Sequence, residues 1–354
     1  LFEPCRLFHL VGLFRKYLGR RRLLILLYHR IAPAGGDTTI AGLEMDAPVR
    51  ADQFDGHMKL LRWFGEPLPL DAAVETLRGS GTGPRALIAV TFDDGYRDNF
   101  TLGRPIWRRH GVPVTLFPAV GPVDRGEWLW WDELEWIIGH ATLEPARMRP
   151  LVEALEDVAP GPGWHEVIEA AHDRDRVARL LLKRMLDLPI ELRELFLTEL
   201  AERLGIGRPG RRLNAPAVPH PAEPDRLYLN WDELRSMARE GVRIGGHTVR
   251  HPRLPAEPAS VAFDEITACR AALQERLDEP VTCFAMPGGF YGPREVQMLA
   301  RAGYRLAVTV EKGVNYPDAD PYRLRRISLS WDQPHHLALK LALGDWLFKS
   351  HHET

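Results

Sequence analysis

The sequence predicts an α/β fold on a parallel sheet, either closed as a barrel or open and doubly wound, and three observations lead there. Segments 23–28, 86–92 and 112–117 are continuous apolar runs bounded by Gly, Pro or polar residues, the pattern of strands buried on both faces. A stretch of helical length over 99–110, ending at Gly111, separates the last two. The same strand and helix order returns after residue 230.

Taken in order, the chain opens with Leu7, Phe8, Leu10, Val11, Leu13, Phe14, Tyr17 and Leu18 at helical spacing, with Arg6, Arg15, Lys16 and Arg20 to Arg22 around them. This predicts an amphipathic basic helix over 1–22, which either covers the core or lies at a membrane surface. The apolar run at 23–28 is far shorter than the roughly 18 residues a span requires. The segment lacks the cleavage pattern of a signal peptide, so the expected location is cytoplasmic, peripheral to the inner membrane if the helix docks there.

Between about 124 and 226 the pattern changes. Leu-rich segments over 177–188 and 190–204 have helical spacing with no strand between them, so a helical insertion is expected, with loops at 160–163 and 216–224. After it, Asn230 reads as an N-cap with Glu233 at the capping-box position. Short strands follow over 242–245, 281–285, 305–310 and 326–329, separated by helices over 262–277 and 294–302.

The 354 residues carry 46 Lys+Arg against 48 Asp+Glu, a formal charge of −2, which argues against a nucleic-acid partner held by bulk charge. Cys5, Cys269 and Cys283 are odd in number and lack metal-ligand spacing, so buried small side chains are expected of them, not a disulfide framework.

Three strings stand where strands end. In Thr91-Phe-Asp-Asp-Gly-Tyr96, two neighbouring acids follow a buried strand, and their side chains diverge, so one can bind a metal while the other acts as a base. Alone, Asp-Asp-Gly is an ordinary turn. In Gly245-Gly-His-Thr-Val-Arg-His251, the imidazoles lie four apart, and one helical turn would put both on one face. Cys283-Phe-Ala-Met-Pro-Gly-Gly289 ends in a turn able to aim backbone N–H groups at a ligand.

Together these strings resemble the polysaccharide deacetylase family, the NodB homology domain of carbohydrate esterase family 4. The likeness runs from the Thr91 strand to about Arg326 and includes the Trp231-Asp-Glu-Leu helix. Leu27-Tyr-His-Arg-Ile31 further resembles the subgroup associated with exopolysaccharides. The resemblance implies a distorted (β/α) barrel over 23–354 and a divalent metal ion, commonly zinc, held by Asp94, His247 and His251. It implies Asp93 as general base and Gly288 as an oxyanion donor, with an N-acetylated glycan or glycolipid as substrate.

Two departures follow. The family's third-motif arginine, which orients the base, is replaced by Ala285, leaving Arg325 or Arg326 as substitutes. The usual final Leu-x-His is not evident, leaving His29 as a candidate acid or a structural residue. A glycan-binding homologue with weak turnover is the alternative these departures suggest. A non-haem iron triad built from the same ligands is disfavoured by the βα order. Tyr96, Trp128, Trp130 and Trp131 either stack on sugar rings or fill the core, and His335 and His336 read as solvent-facing.

Overall fold

The computed structural model describes residues 20–35, 48–80, 86–209, 226–329 and 332–347. The expected helix over residues 1–22 (apart from its last three), the stretch 216–224 and Cys5 lie outside the described residues.

Among the described residues, seven parallel strands form a nearly closed barrel: β1 (Arg22–Tyr28), β2 (Ala86–Asp94), β3 (Val114–Pro118), β4 (Arg243–Ile244), β5 (Cys283–Ala285), β6 (Leu306–Lys312) and β7 (Leu324–Ser328). Their spatial order is β4, β3, β2, β1, β7, β6, β5. The ring closes between its ends, where Gly246 N–H donates to the Cys283 carbonyl at 2.9 Å and Ala285 N–H donates to Gly246 at 2.9 Å. Gly246 allows this approach, because a Cβ there would collide with the Tyr304 hydroxyl. The barrel, and not the open sheet, is therefore the outcome.

Alternation along the strands sorts the core into two layers. Leu23 and Ile25 of β1, Leu87 and Ala89 of β2, Phe117, Cys283, Ala285, Leu306, Val308 and Leu324 pack together inside the barrel. Leu24, Leu26, Ile88, Val90 and Phe92 point outward against the helices. With both faces covered, β1 buries Leu23 to Leu27 at 1% exposure or less, and each such side chain contributes about 1.5–3 kcal/mol.

Helices α1 (Ala51–Phe64) and α2 (Leu70–Arg78) follow β1. Leu70, Ala73, Val74 and Leu77 of α2 join the inner layer, and Arg21, just before β1, donates to the Thr76 carbonyl at 3.0 Å. Helix α2 therefore stops the barrel at the starts of the strands, which leaves the other end for chemistry. Helix α3 (Arg104–His110) connects β2 to β3, preceded by a wide turn over Asn99–Gly103.

Between β3 and β4 the described chain is helical: α4 (Val120–Arg125), α5 (Trp130–His140), α6 (Pro145–Val158), α7 (Trp164–Glu169), α8 (Arg174–Met185), α9 (Ile190–Leu204) and α10 (Trp231–Arg239). Helices α5 to α9 have their own core, including Leu134, Ile137, Leu151, Leu181 and Phe196. The buried Arg208 joins them by donating to both carboxylate oxygens of Glu133 and to Glu194. The capping box at Asn230 and Glu233 forms, at 2.8 and 3.1 Å. Helices α11 (Ala259–Leu277), α12 (Pro293–Ala302) and α13 (Pro334–Leu347) complete the layer. Among the described residues no helix is long and apolar enough to cross a membrane.

Candidate active site

The inward row of β2 runs Leu87, Ala89, Thr91, Asp93, so a carboxylate follows three apolar or hydroxylated side chains up the barrel axis. On β7 the same parity sends Arg326 inward. It is fully buried and reaches Asp93 as a fork, Nη1 to Oδ1 at 2.8 Å and Nη2 to Oδ2 at 2.6 Å. Its Nε donates to the Thr309 carbonyl at 2.7 Å. Burial alone would raise the Asp93 carboxyl, but the Arg326 charge, the charge of His247 and the paired hydrogen bonds outweigh it and hold it below the ordinary carboxylate value. Arg325, offered equally by the sequence, faces the other way. It is partly exposed, 3.8 Å from Glu311, and does not reach the site.

Alternation would carry Asp94 outward, away from its neighbour. Instead its φ is 69°, in the left-handed region, and this turn brings its carboxylate to the histidines. Gly95, with φ 84°, completes the exit as its N–H donates back to the Asp93 carbonyl at 2.8 Å. Asp94 Oδ1 lies 3.3 Å from His247 Nε2 and 3.7 Å from His251 Nε2, and all three donor atoms fall within 4.8 Å of one another. Ligands around a tetrahedral zinc at about 2.0–2.1 Å stand roughly 3.4 Å apart, so small contractions would suffice for a shared cation.

The His-x-x-x-His spacing does not work through a helical turn, as the sequence suggested. Residues after Gly246 form a loop in which Thr248 (φ 63°) and His251 (φ 53°) are both left-handed. A β-branched residue in that region is strained by about 1–3 kcal/mol, and several bonds hold it there. Thr248 Oγ1 donates to the His247 carbonyl at 2.5 Å and accepts from His251 N–H at 3.0 Å. Val120 and Gly121 of α4 donate to the carbonyls of Thr248 and Val249 at 3.1 and 2.8 Å.

The buried carboxylate of Glu265 on α11 accepts from the N–H groups of Val249 and Arg250, both at 2.9 Å, and from Arg250 Nε at 2.8 Å. Glu265 carries no local sign in the sequence; only the folded loop reveals it.

The imidazoles differ electrostatically. Burial disfavours charge on His247, but its bond to Asp94, the charges of both aspartates and its Nδ1 contact with the Ala285 carbonyl at 2.8 Å raise it above its ordinary value. Burial and then the neighbouring His247 charge push His251 down to about 3, so it offers a neutral ring nitrogen.

His29 follows β1, whose Tyr28 is in register with Phe92, so it stands beside the aspartates. Its charge lowers both Asp93 and Asp94, after the stronger influences on each. Its carbonyl accepts from Asn99 Nδ2 at 2.9 Å, while Asp98 accepts from Ile31 N–H and Arg30 Nε, both at 3.0 Å. Gly288 lies in the turn after β5, at φ 58°.

Of the aromatics, Tyr96, Trp130 and Trp131 are buried, and Trp128 is half-buried. Cys269 and Cys283 are buried and unbridged, and His335 and His336 are exposed.

The chain is similar to known proteins in sequence and in fold. Residues 211–307 match the family model described as polysaccharide deacetylase, a stretch that includes the His247 loop and β5 but not Asp93 and Asp94. The Bacillus subtilis protein YxkH, named among the polysaccharide deacetylases, is 24% identical over 103 residues, 29% of this chain and 37% of that protein. The chain thus aligns with well under half of that relative's length.

In fold, the chain is similar to the Streptococcus pyogenes deacetylase PplD in complex with acetate, with TM-score 0.58 and 16% identity over 91% of this chain and 99% of that one. It is also similar to IcaB from Ammonifex degensii, with TM-score 0.55 and 17% identity over 92% and 99%. The histidine loop thus lies inside the stretch that matches the polysaccharide deacetylase model, and the chain as a whole shares its fold with these structures.

Proposed function

We propose that the protein is a metal-dependent hydrolase that removes N-acetyl groups from a carbohydrate, with zinc as the cation. The observation that carries this reading is the asymmetry of the two aspartates. Asp94 joins two imidazole nitrogens within 4.8 Å, while Asp93 beside it is occupied by Arg326. The divalent cation would supply Lewis-acid polarisation of a water and of the acetamide carbonyl oxygen.

Everything else falls to side chains and backbone. Asp93, kept ionised by Arg326, takes the proton lost by the attacking water. The Gly288 N–H donates to the oxygen on which negative charge develops at the tetrahedral carbon. As the carbon–nitrogen bond breaks, His29 gives the departing amine its proton, so acetate and a free amino sugar leave. The ties from Asn99 and Asp98 to the His29–Ile31 backbone support that role by fixing where the imidazole starts.

The departure at Ala285 does not favour a merely binding homologue, because Arg326 forks onto Asp93 and can orient the base in place of an arginine there. We read 23–354 as one deacetylase-type unit with the helices of 124–226 inserted.

Against its burial, the bond to Asp94 and the charges of both aspartates raise the proton affinity of His247, and a cation competes with that proton, so cation binding should strengthen as pH rises. The test is acetate release from N-acetylated oligosaccharides and glycolipids. Release should stop with a chelator and return with zinc. Release indifferent to chelation, or none from any acetylated sugar, would contradict the reading.

A further inference from the structure

We infer that Trp131, delivered by the inserted helix α5, is a positioning residue that sets the ring of His251 for cation binding. This deepens the reading above and rests on its metal centre.

The two imidazoles are not fixed by the same means. A metal-binding histidine ordinarily anchors its second ring nitrogen on a carbonyl or carboxylate, as His247 does on Ala285. His251 turns Nε2 toward Asp94, and among the described residues no carbonyl or carboxylate of another residue anchors its other ring nitrogen. The terminal torsion of histidine is broad, so such a ring needs a wall.

Trp131 supplies it, meeting the His251 ring at 4.6 Å between centroids and 79°, edge to face, while His247 meets His251 at 4.7 Å and 74°. The second imidazole is therefore bracketed by rings where its partner is hydrogen-bonded.

The wall is itself anchored. Trp131 Nε1 donates to the Tyr96 hydroxyl at 2.9 Å, which donates to Asp132 Oδ2 at 2.9 Å. Tyr228 donates to the same oxygen and stacks on Tyr96 at 5.0 Å. Asp132 is buried, so these hydroxyls satisfy a carboxylate that water does not reach. Tyr96 belongs to the aspartate-bearing turn and Tyr228 to the segment before α10, so the network ties the inserted helices to both sides of the metal loops. Arg193 of α9 adds a contact from Nη1 to the His251 carbonyl at 3.4 Å.

A Trp131 that only filled the helical core would lower stability and leave the cation site alone. The experiment therefore measures zinc affinity by chelator competition, the cobalt(II) ligand-field spectrum and the melting temperature of the ion-free protein, for the parent, Trp131→Leu, Trp131→Phe and Tyr96→Phe. Zinc affinity should fall roughly 10- to 100-fold in Trp131→Leu, as for loss of other supports of metal ligands. The cobalt spectrum should change, and both Phe variants should fall between. If Trp131→Leu does not fold, Trp131→Phe decides by the same measurements. A lower melting temperature with zinc affinity and cobalt spectrum unchanged would overturn the role of Trp131 alone. A parent that binds neither zinc nor cobalt would overturn it together with the metal reading.

Discussion

Asp93→Asn should lower turnover by roughly 10²- to 10⁴-fold, the usual contribution of a positioned base, while zinc is still taken up. The asparagine fits the space and can accept one bond from Arg326, but it cannot take a proton from water. Asp93 is not among the three donors gathered at the cation site, so the ligand set survives. Acetate release at saturating substrate, read beside metal content on the same preparation, separates the two effects. Turnover within tenfold of the parent would remove Asp93 from the mechanism.

The second large effect is expected at Arg326. Arg326→Met leaves Asp93 buried without its counter-charge, and breaking a buried pair from one side costs about 3–5 kcal/mol. The pH dependence gives the sign. In the parent, the folded-state pKa of Asp93 lies below its unfolded value. Its ionisation therefore adds stability above about pH 4, and that stability is lost as pH falls through the folded value.

Without Arg326, burial dominates and the folded pKa rises above the unfolded one. The variant then loses stability as pH climbs past the unfolded value, until the raised pKa is passed. Urea unfolding from pH 3 to 8 should show a deficit that widens with pH and then levels. The acid limb of the rate profile should move up in the same variant. Arg325→Met, at a partly exposed side chain 3.8 Å from Glu311, should do neither. Equal effects of the two variants would contradict the assignment.

The contrast between these arginines shows what the sequence can carry. A parallel strand covered on both faces is a continuous apolar run, so 23–28 and 86–92 announce their burial but not which side chains face the axis. The Asp-Asp and His-x-x-x-His strings are readable because their chemistry is unusual at strand ends. That Arg326 and not Arg325 meets Asp93 depends on the inward parity of β7 and on a register shift between Leu324 and Arg326. No local string encodes that shift.

The same limit explains the histidine loop. Spacing alone suggested a helical turn, whereas left-handed residues at Thr248 and His251, clamped by the distant Glu265, make the pair. Trp131 reads as an aromatic in a Trp-rich segment, and its place against His251 arises only when the inserted helices fold onto the barrel.

Asp94, His247 and His251 should hold one divalent cation between them. Elemental analysis of the protein equilibrated with zinc and freed of excess tests it most directly. One equivalent is expected in the parent and in Asp93→Asn, and well under one in folded Asp94→Ala and His247→Ala. A parent without stoichiometric zinc, or a full equivalent retained after Asp94→Ala, would contradict it.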